Sequence, residues 1–378
     1  MSEVSMGVPS FPASWPEPRV PYEALWDLAT AILEAVGVST EGARQTAEVL
    51  ATADLRGIHS HGVYRLPFYV EALERGLVEP DPDIRVERET PTSALIHGGN
   101  GLGPVVGIRA MEVCLEKARA SGMAAVGVHH SNHYGIAGYY AMMALRYDMI
   151  GLSMTNAAAN VAPTGAARKA LGTNPIAVAV PAGQERPFVL DMATSVVAQG
   201  KIATRVKQGL EIPLGWGLDR FGQPTTDGRA ILEEGGSILP LGGLAETAGY
   251  KGYGLATLVD ILCGPLTGAL FGVSIPKWLA PGRTGPHNIG HFFAAMRVDL
   301  FRPVDEFKAE MDRLIRQLRG LPRARGVDRI YVAGEKELEA EEENRRLGIP
   351  LPRPHREALQ ALAARLGLGD RAAFLARP

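Results

Sequence analysis

The segment from Thr92 to His133 constrains the fold more than any other. "TSALIHGGNGLG" reads as an apolar strand running into a glycine turn, "PVVGIRAMEVCLEKARASG" as a helix and "MAAVGVHHSNH" as a second strand. Together they make one strand–helix–strand unit. An α/β architecture follows.

The glycine turn inside this unit does not match the dinucleotide fingerprint. Gly99, Gly101 and Gly103 give G-x-G-x-G rather than G-x-G-x-x-G. No acidic residue ends a following strand, where a ribose hydroxyl would be read.

Before this unit the chain reads as helical. "STEGARQTAEVLATADLRG" carries a Ser39/Thr40 cap, then Ala43, Ala47, Leu50, Ala51 and Leu55 on one face, with Gly57 as a stop. "RLPFYVEALERG" is a second helix, and Pro67 demands a break or restart just before it. After the unit, strands are expected at "MIGLSMTN", "PIAVAVPA", "PFVLDMATS" and "HFFAAMRVDLF". Helices are expected at "GIAGYYAMMALRYD", "VAQGKIATRVKQG" and "YGLATLVDILCGPLTG". "VDEFKAEMDRLIRQLRG" is an amphipathic helix with Phe307, Met311, Leu314, Ile315 and Leu318 inward. "EKELEAEEENRRLG" reads as a solvated charged face and "HREALQALAARLG" as a last helix.

The 378 residues suffice for two or three cores, and 46% hydrophobic with 21% charged residues is an ordinary globular balance. A net charge of −2 leaves no electrostatic footprint for nucleic acid or an anionic membrane. The opening "MSEVSMGVPSFPASWPEPRVP" lacks the basic and apolar regions of a secretion signal. "GLATLVDILCGPLTGALFGVSIP" is interrupted by Asp260 and Pro265, so a buried helix is expected rather than a membrane span. Cys114 and Cys263 read as reduced core residues, which suits the cytoplasm.

The chemistry concentrates in histidine. Of nine histidines, five lie in "GIHSHGVYRLPFYV" and "VHHSNHYG". His61, Arg65 and Tyr69 follow at i, i+4 and i+8, one face of a helix if it is continuous. A guanidinium grips a carboxylate bidentately, and a histidine one turn away could exchange a proton beside it, which suits a 2-hydroxy or 2-oxo acid. The same residues also fit a plain helix start, with Ser60 as cap and Arg65 in a surface ion pair. Zinc is the rival for both stretches, although neither a barrel-strand H-x-H nor a helical H-E-x-x-H is present.

Six blocks in order resemble the type 2 malate/L-lactate dehydrogenase family. They are "LRGIHSHGVYRLPFYVEALERG", "VHHSNHYGIAGYYAMMA", "SMTNAAANVAPTGAARKALGTNPIAVAVP", "LDMATSVVAQGKI", "IPLGWGLDRFGQPTTD" and "GYKGYGLATLVDIL". The resemblance implies a non-Rossmann fold that binds NAD or NADP, with a mixed sheet and helical N- and C-terminal parts. It also implies a homodimer, a small carboxylate substrate and no metal. Its expected parts are a helical segment, 20–80, packed with C-terminal helices in 304–378; a central sheet-and-helix domain of 85–120 and 245–303; and a cofactor-binding domain of 121–244.

The site residues implied by the resemblance are His61 as proton donor, Ser60 orienting it, and His133 at the nicotinamide end as an alternative acid/base. Arg65, Tyr69 and Thr173 would bind substrate. Asn156, Asp191, Met192, Ala193, Lys251 and Gly252 would meet the cofactor. The expected reaction is hydride transfer between the cofactor and C2 of an acid such as L-malate or L-lactate. A cyclic-imine carboxylate reductase on the same scaffold is the alternative, and a metal-dependent hydrolase the alternative of another class.

Overall fold

A computed structural model describes residues 18–376. Most of the proline-rich opening segment thus lies outside the described residues. A short strand β1 (Arg19–Val20) leads into helices α1 (Tyr22–Ala35), α2 (Thr40–Leu55) and α3 (Leu66–Glu74). The Ser39 side chain accepts the Gly42 N–H, as an N-cap does, and α2 stops before Gly57, whose φ of 74° suits only glycine without strain. Between α2 and α3 lie two 3-10 turns, His59–His61 and Val63–Arg65. The restart before Pro67 therefore occurs, and His61 and Arg65 do not share a continuous helix.

Next come β2 (Arg85–Thr90), β3 (Ser93–His97), α4 (Gly103–Ser121) and β4 (Met123–Ser131). β3 and β4 pair in parallel, with α4 as the crossover. The chain continues through α5 (Ala137–Met142), β5 (Met149–Thr155), β6 (Ile176–Val180), β7 (Phe188–Met192) and α6 (Gln199–Lys207). β8 (Gly217–Leu218), β9 (Pro224–Thr225) and β10 (Ser237–Ile238), with α7 (Gly228–Leu232) before β10, make a small three-stranded sheet. α8 (Gly249–Cys263), β11 (Ile289–Arg297), α9 (Val304–Arg319), α10 (Glu335–Leu347), β12 (Ile349–Pro350) and α11 (Arg353–Arg365) complete the order.

The main sheet runs β2-β3-β4-β11-β5-β6-β7 and is mixed, since β3–β4 is parallel and its other pairs are antiparallel. Strands from 85–120, from 121–244 and from 245–303 thus share one sheet. Its register puts the C-terminal ends of β3, β4, β5 and β7 and the N-terminal ends of β11 and β6 along a single edge: His97 is level with His129, His291 with Thr155, and Ile176 with Met192.

A separate helical core joins both ends of the chain. Leu25, Leu28, Ile32 and Leu33 of α1 pack with Leu50 and Leu55 of α2, Leu66 and Val70 of α3, and Ile349, Leu359 and Leu362 from the C-terminal part. Each such fully buried side chain contributes about 1.5–3 kcal/mol. Three sequence expectations need correction. Leu314 and Leu318 of α9 are 48% and 42% exposed, because the helix turns Asp312 and Ile315 inward and the Asp312 carboxylate accepts the backbone N–H groups of Gly183, Gln184 and Glu185. The charged run of α10 is not merely solvated: Glu341 pairs with Arg56, Glu343 with Arg19, and Glu339 and Glu342 with Arg186. Finally, α8 buries one face only, leaving Tyr250, Leu258 and Ile261 bare on another. Among the described residues, no helix is long and apolar enough to cross a membrane.

Candidate active site

The first histidine turn is wound around a buried carboxylate. Asp54, in the last turn of α2, is fully buried. Its Oδ1 lies 2.7 Å from His59 Nδ1, and its Oδ2 accepts the Val63 N–H at 2.7 Å. A Cβ on Gly62 would collide with this carboxylate, so glycine is what lets the chain close over it. Sequence reasoning missed Asp54. An acid at a helix C-terminus opposes the macrodipole, and that was the available signal.

The turn presents Ser60, His61 and Arg65. Ser60 does not cap a helix; its Oγ sits 2.9 Å from His61 Nδ1. The His61 ring stacks on His133 at 5.5 Å, and His133 in turn stacks on Trp278 at 5.4 Å. Tyr69, buried in α3, brings its hydroxyl to 2.8 Å from His133 Nδ1. Thus His61, Tyr69 and His133, from three separate elements, form one cluster. Arg65 donates through Nε to the Ser60 carbonyl at 2.8 Å. Among the described residues, its two terminal nitrogens have no hydrogen-bond or ion-pair partner, so the surface ion pair is absent. Trp278 and His287 were not singled out from the sequence. They flank the cluster, and Trp278 Nε1 and His287 Nδ1 are buried with no partner among the described residues.

Burial and charge keep these rings neutral. Loss of solvent, then the Arg65 guanidinium, lower His61 to about 4. The same two causes, in the same order, hold His133 well below the ordinary histidine value. The two neutral rings differ in their partners. His133 Nδ1 faces both the Tyr69 hydroxyl and the Gly135 N–H, the latter at 3.4 Å. An accepting Nδ1 puts the proton on Nε2. His61 Nδ1 faces a serine hydroxyl alone, which can donate or accept. His61 can exchange tautomers freely, whereas the Gly135 N–H biases His133 toward the Nε2–H tautomer, with the Tyr69 hydroxyl placed between its Nδ1 and its carbonyl.

The remaining sequence-predicted residues lie elsewhere along the same sheet edge. Asn156 is buried and fully engaged: it donates to Asp260 and the Leu270 carbonyl and accepts the Gly290 N–H. The Thr173 carbonyl accepts from Thr194, next to Ala193, and the Thr194 carbonyl accepts the Leu241 N–H. Gly252 lies tight against the Leu241 backbone, while Lys251 beside it is exposed. Thr173, Ala193 and Gly252 are thereby joined in one backbone network. Met192 is half-buried at the end of β7. Asp191 faces a different space, a cleft of about 260 Å³ lined by Arg56, Ile58, Ile136, Gly138, Gly334 and Lys336, among others. Asp191 is exposed toward this cleft and accepts the Gly138 N–H at 2.7 Å; partial loss of solvent within the cleft raises its carboxyl above the ordinary range.

The malate/L-lactate dehydrogenase family profile matches residues 20–360. A malate dehydrogenase of Pyrococcus horikoshii is 43% identical over 351 residues, covering 93% of this chain and 96% of that one. The solved structure of malate dehydrogenase from Pyrococcus horikoshii OT3 superposes with a TM-score of 0.87 at 40% identity, over 94% of this chain and 97% of the other. A delta1-piperideine-2-carboxylate reductase from Pseudomonas syringae pvar. tomato reaches 0.81 at 31% identity, over 92% and 100%. Agreement in sequence and in fold over nearly the whole length leaves one conclusion, that this chain belongs to the malate/L-lactate dehydrogenase family.

Proposed function

We propose that the His61–His133–Arg65 cluster is the substrate site of a dehydrogenase acting at C2 of a small 2-hydroxy or 2-oxo carboxylate, with malate as the first candidate. One observation carries this reading: a guanidinium whose terminal nitrogens lack hydrogen-bond and ion-pair partners among the described residues stands beside two uncharged imidazoles. Arg65 binds the carboxylate bidentately and so fixes C2. His133, through Nε2–H, donates to the C2 oxygen, and Tyr69 holds that ring in place. His61, neutral in the free protein, takes the hydroxyl proton during oxidation, with Ser60 adjusting its hydrogen bond as the proton arrives. In the other direction, the bound carboxylate offsets the Arg65 charge that depresses His61, so protonated His61 becomes easier to form.

NAD or NADP, when bound, supplies the hydride chemistry. The Asp191 cleft fits part of such a molecule. Its carboxylate can accept hydroxyl hydrogens, and glycine at 138 and 334 lets Asp191 and Val189 approach closely, since a Cβ there would lie 2.8 Å from Asp191 and 2.7 Å from Val189. Asp191 and Met192 would hold the cofactor there. Asn156, Ala193, Lys251 and Gly252 would shape its path along the sheet edge, with Thr173 toward the substrate.

We also infer a homodimer. Tyr250, Leu258 and Ile261 on α8, with Phe271 and Val273 after it, are exposed apolar side chains of the kind a second subunit covers. Two free buried cysteines suit a reducing compartment such as the cytoplasm.

The test is a turnover screen of the purified chain with L-malate, L-lactate, ureidoglycolate and piperideine-2-carboxylate, each with both cofactors, alongside sedimentation to check the dimer. A 2-hydroxy acid should be the best substrate, and turnover should survive EDTA. Preference for the cyclic imine would shift the substrate class, and a stoichiometric zinc held by His61 and His133 themselves would overturn the proton-transfer mechanism.

A further inference from the structure

His97, His129 and His130 stand apart from the proposed substrate site, and the reaction uses none of them. Their meeting is not an ordinary result of strand geometry. Successive strand residues point to opposite faces, yet His129 Nδ1 and His130 Nδ1 are 2.6 Å apart.

Two irregularities of the sheet bring this about. In the β4–β11 pair, Ser131 is opposite Ile289 and Val128 opposite His291, so His129 and His130 together face the single residue Gly290. This is a bulge, and His130 takes a φ of 54° within it. In the β2–β3 pair, Val86 is opposite Ile96 and Arg88 opposite Leu95, so Glu87 is the extra residue of a second bulge. His97 lies on β3 between the two bulged strands, level with His129. Its ring stacks on His130 at 4.4 Å. A left-handed φ on a residue with a Cβ is a cost that persists where the surroundings enforce it, and such sites concentrate where a side chain is put to use.

We propose that His97, His129 and His130 bind a divalent transition metal, zinc being the reference ion. One nitrogen from each residue lies within 4.8 Å of the others. A tetrahedral zinc with nitrogens at about 2.0–2.1 Å needs them about 3.3 Å apart, so the three rings close on the ion by small rotations. The tautomers also suit it. Glu87 Oε2 is 2.9 Å from His129 Nε2, so the carboxylate accepts the Nε2–H and leaves a lone pair on Nδ1 directed into the cluster. This carboxylate–histidine pairing is the usual support of a metal ligand. Without metal, the His130 Nδ1–H donates to His129 Nδ1; when an ion binds, His130 carries its proton on Nε2 instead, and both Nδ1 lone pairs face the ion. His97 turns its ring from the Gly99 N–H, which its Nδ1 accepts at 3.0 Å. Arg85 borders the cluster but is neutralised by Asp83 and Glu87. The rings are not sealed in, His97 and His130 being half-buried, so an ion can enter and a water can complete the coordination.

The role assigned is structural. The turn Gly98–Asn100 is already hydrogen-bonded to the bulge, through Gly98 N–H to the His129 carbonyl and Asn100 N–H to the His130 carbonyl, both at 2.8 Å. A metal would staple the β2–β3 hairpin to the end of β4, three residues before His133.

The test uses the full-length chain without an affinity tag, stripped with chelator and titrated with zinc against a competing chromophoric chelator. The expected result is one equivalent per chain, with a rise in Tm on binding. H97A and H129A should each abolish stoichiometric binding. E87Q, which keeps the shape of the side chain and guards against misfolding in the alanine variants, should weaken affinity about 10–100-fold. H61A should leave binding unchanged. Absence of stoichiometric zinc in the parent chain overturns the proposal, as does binding that survives H129A. Binding lost in H61A but kept in H97A would assign the ion to the substrate cluster instead.

Discussion

Two histidine groups lie along one edge of the same sheet, and they are built in opposite ways. His61 and His133 come from a 3-10 turn and from the loop after β4, 72 positions apart in sequence, and meet by stacking. His129 and His130 are neighbours in sequence and meet because a bulge folds them onto one side. The groups differ most in what holds the far nitrogen of each ring. Hydroxyl groups of Ser60 and Tyr69 hold the first pair. A carboxylate, Glu87, holds His129 in the second. A serine hydroxyl can reverse its hydrogen bond and follow a proton, whereas a carboxylate accepts only and fixes a lone pair on the opposite nitrogen. The partner of the unused nitrogen thus separates proton exchange from ligand binding.

The largest expected effect tests the first half of that contrast. His61→Ala should lower kcat by roughly 10²–10⁴-fold and erase the histidine step in the pH–rate profile. His133→Ala should reduce kcat while leaving that step in place, because His133 is biased toward the Nε2–H donor. A step that disappears only with His133 would reverse the two roles. Arg65→Ala comes next, with about 2–5 kcal/mol of transition-state binding lost in kcat/KM for a carboxylate substrate. Arg65→Lys should recover part of it, since a point charge replaces a fork. Unchanged kcat/KM in the alanine variant would remove Arg65 from the site.

The smallest effect concerns pH and stability. Burial lowers His61 and His287 to about 4 and His291 to about 3, against an ordinary 6.5. Above pH 6.5 these rings are neutral in both folded and unfolded chains, and their contribution is complete. As pH falls from 6.5 toward 4, only the unfolded chain takes up protons, so stability falls by about 1.4 kcal/mol per pH unit for each such ring. His291→Gln should flatten this slope by about one proton in denaturant titrations run across that window. A slope as steep as the parent's would show that His291 titrates normally.

Much of the fold is legible in the chain. The strand–helix–strand unit, the Ser39 cap, the glycine stop and the restart at Pro67 are local, and local signals suffice for them. Helical spacing misplaces Arg65 and His61 on one helix, which they do not share; the family resemblance names them without that assumption. Asp54, Trp278 and His287 escaped notice because their roles depend on contacts from distant segments. The bulges escaped for a related reason: a bulge is a property of two strands in register, and neither sequence alone contains it. The α10 charges looked solvated because their partners Arg19, Arg56 and Arg186 lie far away in the chain.

The closure of the chain upon itself also sets a timetable. β1 pairs with β12, Asn344 donates to the Leu55 carbonyl at 2.8 Å, and Tyr64 in the second 3-10 turn stacks on His355 at 4.5 Å. The histidine turn is therefore synthesised before these supports, which follow it by nearly three hundred residues. At about 5–20 residues per second, the interval between them is roughly a quarter of a minute to a minute. For that time the nascent polypeptide carries His61 and Arg65 on a turn held by Asp54 but without its C-terminal supports. The site becomes complete only once these later segments have been made and have folded back onto the turn.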